Sequence, residues 1–92
     1  MGVTLTGQLI CKTEDEAARV RAALDTHIRL TRAEPGCLSF EVNPTDDPLV
    51  WQVDEAFADK AAFDAHQTRA GASDWAVQTA GIERNYTITG LA

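Results

Sequence analysis

At 92 residues and 45% hydrophobic content, the chain is sized for one domain around one core, over residues 1–92 with no linker between parts. Its net charge of -6, with eight Lys and Arg that never form a run, excludes the clustered cations of a phosphate-backbone partner, and no apolar stretch approaches the roughly 18 residues of a membrane span. Two cysteines without regular spacing, and no basic-then-apolar leader, make reduced thiols in the cytoplasm the expectation, and a core this small makes a homodimer the expected state.

Val3, Leu5, Leu9 and Cys11 alternate with Thr4, Thr6 and Gln8, a period of two that predicts a strand with one buried face. Gly7 interrupts that face, as glycines do where a ligand or another backbone approaches closely. Thr13 and Glu16 have capping-box spacing, and Ala17, Val20, Leu24, Ile28 and Thr31 then recur at intervals of three and four. This predicts a helix with one apolar stripe toward a sheet. His27 lies near the border of the stripe and reads as a solvated or capping histidine. Pro35 disfavours helix at Glu34 and Gly36 permits a turn, so the helix should end near Ala33, with the Glu34 to Leu38 junction supplying backbone geometry.

Leu38, Phe40 and Val42 share a face of a second strand that ends at Pro44, and Thr45, Asp46, Asp47 and Pro48 should close a hairpin. In the third strand Leu49, Trp51, Val53, Glu55 and Phe57 share one face, while Val50 and Ala56 make the other partly apolar, so cover is expected on both sides. Asp59 is a good N-cap for a second helix to about Thr68, with Ala58 and Phe63 at hydrophobic-staple spacing. Gly71 should break the chain, Ser73 cap a short helix carrying Trp75, and Gly81 follow its last turn. A final strand from about Ile82 to Thr89 places Arg84, Tyr86 and Ile88 on one face. The order strand, helix, strand, strand, helix, short helix, strand is the split plan of an α+β ferredoxin-like sandwich: a four-stranded antiparallel sheet with helices on one face. Depending on register, either Val3, Leu5 and Leu9 or Thr4, Thr6 and Gln8 are left on the bare face, where a second sheet could associate.

Two segments, Glu34-Pro35-Gly36-Cys37-Leu38 and the set Glu55, Phe57, Asp59, Ala62 and His66, carry a resemblance over nearly the whole chain. With these residues the sequence resembles the antibiotic biosynthesis monooxygenase family, whose third strand usually ends with Glu and an aromatic two residues on, before a helix bearing Ala and His. The resemblance implies a dimeric α+β barrel. It also implies a range of chemistries, from cofactor-free oxygenation of quinols and polyketide aromatics to isomerisation of small phosphorylated ketones and haem degradation. Haem-degrading relatives use an Asn on the first strand, a Trp on the second helix and a ligating His about ten residues later. Those places hold Gln8, His66 and Ala76, so no cofactor is expected.

His66 on the second helix and Glu55 on the third strand are the candidate catalytic residues. An imidazole in the helix-sheet gap can exchange a proton at neutral pH, and a carboxyl among apolar neighbours must be paired or protonated, with His66 its expected partner. A structural pair tying helix to strand is the competing account of the same two residues. Phe40, Trp51, Phe57, Phe63, Trp75 and Tyr86 are core aromatics that could also line a pocket for a planar substrate, with Arg84 on a phenolate oxygen unless it serves a surface salt bridge. No zinc spacing is visible, and Cys37 shows no sign of an activated thiol. Two functions stand side by side: a small cofactor-independent monooxygenase acting on a quinol or hydroxylated aromatic, and a non-catalytic or regulatory small-molecule-binding dimer, with an enolising isomerase adjacent to the first.

Overall fold

The computed structural model describes residues 2–91, and its elements follow in the expected order: β1 (Val3–Ile10), α1 (Glu14–Arg32), β2 (Cys37–Pro44), β3 (Val50–Phe57), α2 (Lys60–Gly71), α3 (Asp74–Gln78) and β4 (Glu83–Thr89). All neighbouring strands are antiparallel, in the order β2-β3-β1-β4. The helices lie on one face, giving the α+β ferredoxin-like sandwich.

Local chemistry sets the boundaries. Thr13 Oγ1 accepts from the Glu16 amide at 3.2 Å, while Glu16 Oε1 accepts from the Lys12 amide at 2.6 Å, so donors at the start of α1 are satisfied reciprocally. Asp59 Oδ1 does the same for the Ala62 amide at the start of α2, at 2.8 Å. Between α1 and β2, Gly36 adopts a left-handed φ of 85°, and a Cβ there would sit 2.6 Å from the Ala62 side chain. The junction thus packs directly on α2, and the Gly36 carbonyl accepts from the Ala58 amide at 2.8 Å.

Four expectations are corrected. A bulge between Cys37 and Ser39 puts Cys37 rather than Leu38 on the inner side with Phe40 and Val42, leaving Leu38 67% exposed. His27 is not solvated but buried, because the inward stripe of α1 runs through Ala23, Leu24, His27 and Thr31, with Ile28 only partly covered. Gly71 is the last residue of α2 rather than a break after Thr68. Ser73 makes no side-chain cap: its hydroxyl turns back to the Ala70 carbonyl at 2.6 Å.

The strand register decides what faces the helices. Phe40, Glu55, Leu5 and Ile88 stand in one row across the sheet, and Val42, Val53, Gly7 and Tyr86 in the next. Gly7, at φ 156°, is required by a close backbone approach, since a Cβ there would meet the Asn85 carbonyl oxygen at 2.0 Å. Val3, Leu5 and Leu9 are therefore under the helices, and Thr4, Thr6 and Gln8 lie on the bare face. That face is polar and cross-linked: Thr6 Oγ1 donates to Asp54 Oδ1 at 2.7 Å, Gln8 Nε2 to Gln52 Oε1 at 2.9 Å, and Thr4 pairs with Thr89 through their hydroxyls. Val50 and Ala56 are half-buried on it.

Candidate functional site

The two inner rows of the sheet floor a cavity of about 350 Å³, roofed by His27 from α1, His66 and Ala70 from α2, and Trp75 and Ala76 from α3. That size lies within the range of ligand pockets, about 300–1,000 Å³. Leu5, Phe40, Val42 and Val53 make its floor apolar, and Arg84, Tyr86 and Ile88 of β4 close one side.

His66 is a buried polar group in the roof. Its side chain is 3% exposed, with the ring stacked on Phe57 at a centroid distance of 5.0 Å and tilted against Phe40 at 5.7 Å. Nδ1 lies 2.7 Å from Glu34 Oε1. Arg69 binds the same carboxylate from Nε at 3.4 Å and donates through Nη2 to Thr31 Oγ1 at 2.8 Å. A carboxylate held by a guanidinium only accepts, so Nδ1 donates to it, and Nε2 is the ring nitrogen left to accept a proton.

Glu55 approaches that nitrogen without bonding it. The distance from Nε2 to Oε1 is 3.9 Å, beyond hydrogen-bond range, and Oε1 has no partner among the described residues. Burial, with the negative charge of Glu34 adding to it, raises the Glu55 pKa from 4.5 to about 7. Glu55 and His66 thus meet at ion-pair distance only, while the hydrogen bond of His66 goes to Glu34, so the Glu34 to Leu38 junction supplies chemistry as well as geometry. Glu34 can reach because its amide is anchored to the Thr31 carbonyl at 3.0 Å, holding the residue beside α2.

The remaining residues divide by place. Phe40, Trp75, Arg84 and Tyr86 line the cavity; Trp51, Phe57 and Phe63 lie outside its lining, Phe57 behind His66 and Phe63 at 5.8 Å from Phe57. Arg84 is engaged within the chain rather than in a salt bridge. Its Nη1 donates to the carbonyls of Thr79 and Ile82 at 3.0 and 2.9 Å, and its Nη2 to Thr79 Oγ1 at 2.7 Å, fastening the end of α3 to β4. Tyr86 is pushed up to about 12 by burial, with Arg84 acting in the opposite direction, so its phenol is neutral. Burial, reinforced by Glu34 and Glu55, also raises the Cys37 thiol, against a nucleophilic role.

Sequence reasoning missed Glu34, Arg69 and His27. The signal for Arg69 was its position three residues after His66, which puts both side chains on one helix face. His27 lies three residues after Leu24 and four before Thr31, within the stripe itself. Among the described residues no grouping of three or more His, Cys, Asp or Glu could hold a metal ion. By the alignment that the resemblance implies, the iron-ligand place of haem-degrading relatives falls on Ala76, a residue of the cavity roof with no donor atom.

Residues 12–78 match the family model described as antibiotic biosynthesis monooxygenase. The chain belongs to the antibiotic biosynthesis monooxygenase family. Solved structures similar to this family member include Rv0793 from Mycobacterium tuberculosis, 22% identical with a TM-score of 0.77 over 100% of this chain and 96% of the other. A protein from Nitrosomonas europaea is 26% identical, with a TM-score of 0.81 over 98% and 97% of the two chains. SnoaB from Streptomyces nogalater, a cofactor-independent oxygenase, is 12% identical and superposes with a TM-score of 0.79 over 99% and 93%. None of the curated proteins matches in sequence. The family match spans α1, both hairpin strands and α2, and so contains Glu34, Glu55, His66 and Arg69.

Proposed function

We propose that this chain is a cofactor-independent monooxygenase acting on a quinol or hydroxylated aromatic. The observation that carries the reading is the free Nε2 of His66, beside the unpartnered Glu55 oxygen, in a cavity floored by Leu5, Phe40, Val42 and Val53. The substrate ring lies on the floor of Phe40, Val42 and Val53, and its hydroxyl donates to Nε2. His66 takes that proton as general base, and Glu34 stabilises the resulting imidazolium through Nδ1. Glu55, a neutral acid up to about pH 7, donates a hydrogen bond to the phenolate oxygen, as a desolvated carboxyl can. The electron-rich anion then reduces dioxygen itself. For a naphthoquinol the net change is quinol plus dioxygen giving a hydroxyquinone plus water: one oxygen atom bonds to ring carbon, the other leaves with two substrate hydrogens, and no external reductant is consumed.

Oxygen uptake with a panel of naphthoquinols and related hydroxylated aromatics tests this. His66→Ala should lower turnover by about 10²–10⁴-fold. A variant as active as the parent removes His66 from the mechanism. A ligand that raises Tm without oxygen consumption anywhere in the panel favours the binding-only dimer instead. The reading includes a homodimer joined through the bare sheet face, as the small core of a 92-residue domain favours. Light scattering that returns a monomer mass at working concentration would remove that part alone.

A further inference from the structure

A permanent positive charge stands at the mouth of the cavity. Gln67, Gly71, Arg84 and Ile88 are the exposed members of the lining, so the cavity opens between α2 and the edge strand β4, and Arg84 is the one arginine or lysine in that lining. Among the described residues, salt bridges to carboxylates take Arg19, Arg21, Arg32, Lys60 and Arg69 and leave Arg84 out. Its guanidinium is nevertheless fixed in place, since Nη1 is spent on the Thr79 and Ile82 carbonyls and one Nη2 hydrogen on the hydroxyl of the fully buried Thr79. The N–H groups left over, on Nε and Nη2, have no acceptor among the described residues. Two N–H groups on neighbouring nitrogens of a guanidinium are what a carboxylate accepts in bidentate form, and a cation already held loses little freedom when it binds one. Tying α3 to β4 accounts for the three bonds made and not for the pair left free. Tyr86 shares this corner: its phenol feels the Arg84 charge and, being neutral, offers a further donor.

We infer that Arg84 and Tyr86 form an anion subsite at the cavity mouth, so that the preferred ligand is an aromatic acid whose carboxylate lies at the end opposite its reacting hydroxyl; this rests on the reading of the cavity as a site for a hydroxylated aromatic. The register sets the two ends apart. Glu55, beside His66 Nε2, stands opposite Leu5, whereas Arg84 stands opposite Leu9 on the far side of β1. Two strand spacings across and four residues along put about 16 Å between the Glu55 and Arg84 backbones. Polar groups on adjacent ring carbons cannot serve both places. A ligand with its ring over Val42 and Val53, its hydroxyl toward His66 and its carboxylate toward the opening serves both and leaves the charged end in reach of solvent.

Calorimetry under anaerobic conditions at pH 6 isolates binding from turnover. The probes are 6-hydroxy-2-naphthoic acid, ionised at this pH, and its primary amide, which has the same shape and hydroxyl without the charge. The parent should bind the acid about tenfold more tightly than the amide, the worth of one charge-assisted hydrogen-bonded contact. Arg84→Gln should bring the two affinities within about threefold, chiefly by weakening the acid. Arg84→Lys keeps a point charge without the fork and should show an intermediate preference. Equal affinities in the parent, or Arg84 variants that weaken acid and amide alike, overturn the inference and leave Arg84 as a tether of α3, with the monooxygenase reading intact. Failure of the parent to bind either probe overturns it too, while oxygen uptake with the quinol panel decides the monooxygenase reading separately.

Discussion

Replacing Glu55 by Gln should make the protein less sensitive to alkali, because the carboxyl is held in a place where its charge is unwelcome. The Glu55 residue is 9% exposed, its Oε1 has no partner, and its pKa rises from 4.5 to about 7, burial being the larger cause and Glu34 the smaller. The folded state therefore binds this proton more tightly than the unfolded chain does. Its contribution is complete below pH 4.5, is lost as pH rises through the interval to about 7, and is gone above it. At 1.36 kcal/mol per pH unit, ionising Glu55 in place costs about 3 kcal/mol. At roughly 4–8 °C per kcal/mol for a domain of this size, that is more than about 10 °C in Tm. Gln keeps the shape and cannot ionise. The assay is urea unfolding of parent and Glu55→Gln from pH 4 to pH 8.5, taking the difference at each pH so that titrations common to both cancel. The difference should be near zero at pH 4, grow in favour of the variant between pH 4.5 and 7, and stay level above. Parallel curves would refute the reasoning and mean that Glu55 is solvated or paired when it ionises.

His27 titrates with the opposite sign. Its folded pKa, about 3 against 6.5, makes the unfolded chain the tighter proton binder, so its contribution is present above pH 6.5 and lost as pH falls toward 3. His27→Phe should remove that loss, gaining about 1 kcal/mol relative to the parent for each pH unit below 6.5, and equal acid limbs in urea titrations would contradict it. Glu34→Ala leaves His66 Nδ1 and Arg69 without their shared partner and should lose about 2–3 kcal/mol by chemical denaturation. Glu34→Gln keeps an acceptor for Nδ1 but withdraws the charge that stabilises the imidazolium, so it should stay closer to the parent in stability while oxygen uptake falls about tenfold or more; full turnover in this variant would separate Glu34 from the proton transfer. Gly7→Ala drives a methyl into the Asn85 carbonyl, prising β4 with Tyr86 away from β1, and should lose at least about 1–3 kcal/mol; an unchanged unfolding midpoint would show that the strands can part freely.

The elements were legible because their signals are local. Alternation in Val3 to Cys11 and Leu49 to Phe57, the Thr13 and Asp59 caps, and the Pro35-Gly36 stop each act within a few residues. Those signals also placed His66 and Glu55 on elements that meet across one gap. They misjudged Leu38, since a bulge depends on how two strands pair rather than on either one, and Ser73, whose hydroxyl found a closer acceptor behind it. His27 was passed over because a polar residue at the edge of a stripe reads as solvated until Trp75 is laid against it.

The sequence by itself determined which segments are strands and helices, their order, and that an imidazole and a carboxyl would share the space between sheet and helices. Only the tertiary structure decided which carboxylate holds the imidazole. Glu34 and His66 are 32 residues apart, and the Thr31 carbonyl, the turn at Gly36 and the seat of Ala62 of α2 against that turn bring them to 2.7 Å. Glu55, on the strand face the alternation assigned it, was left alone with an unpaired oxygen. Hydrogen-bond choice and desolvation are set jointly by every element around a cavity, so neither is written in the spacing of residues along one segment.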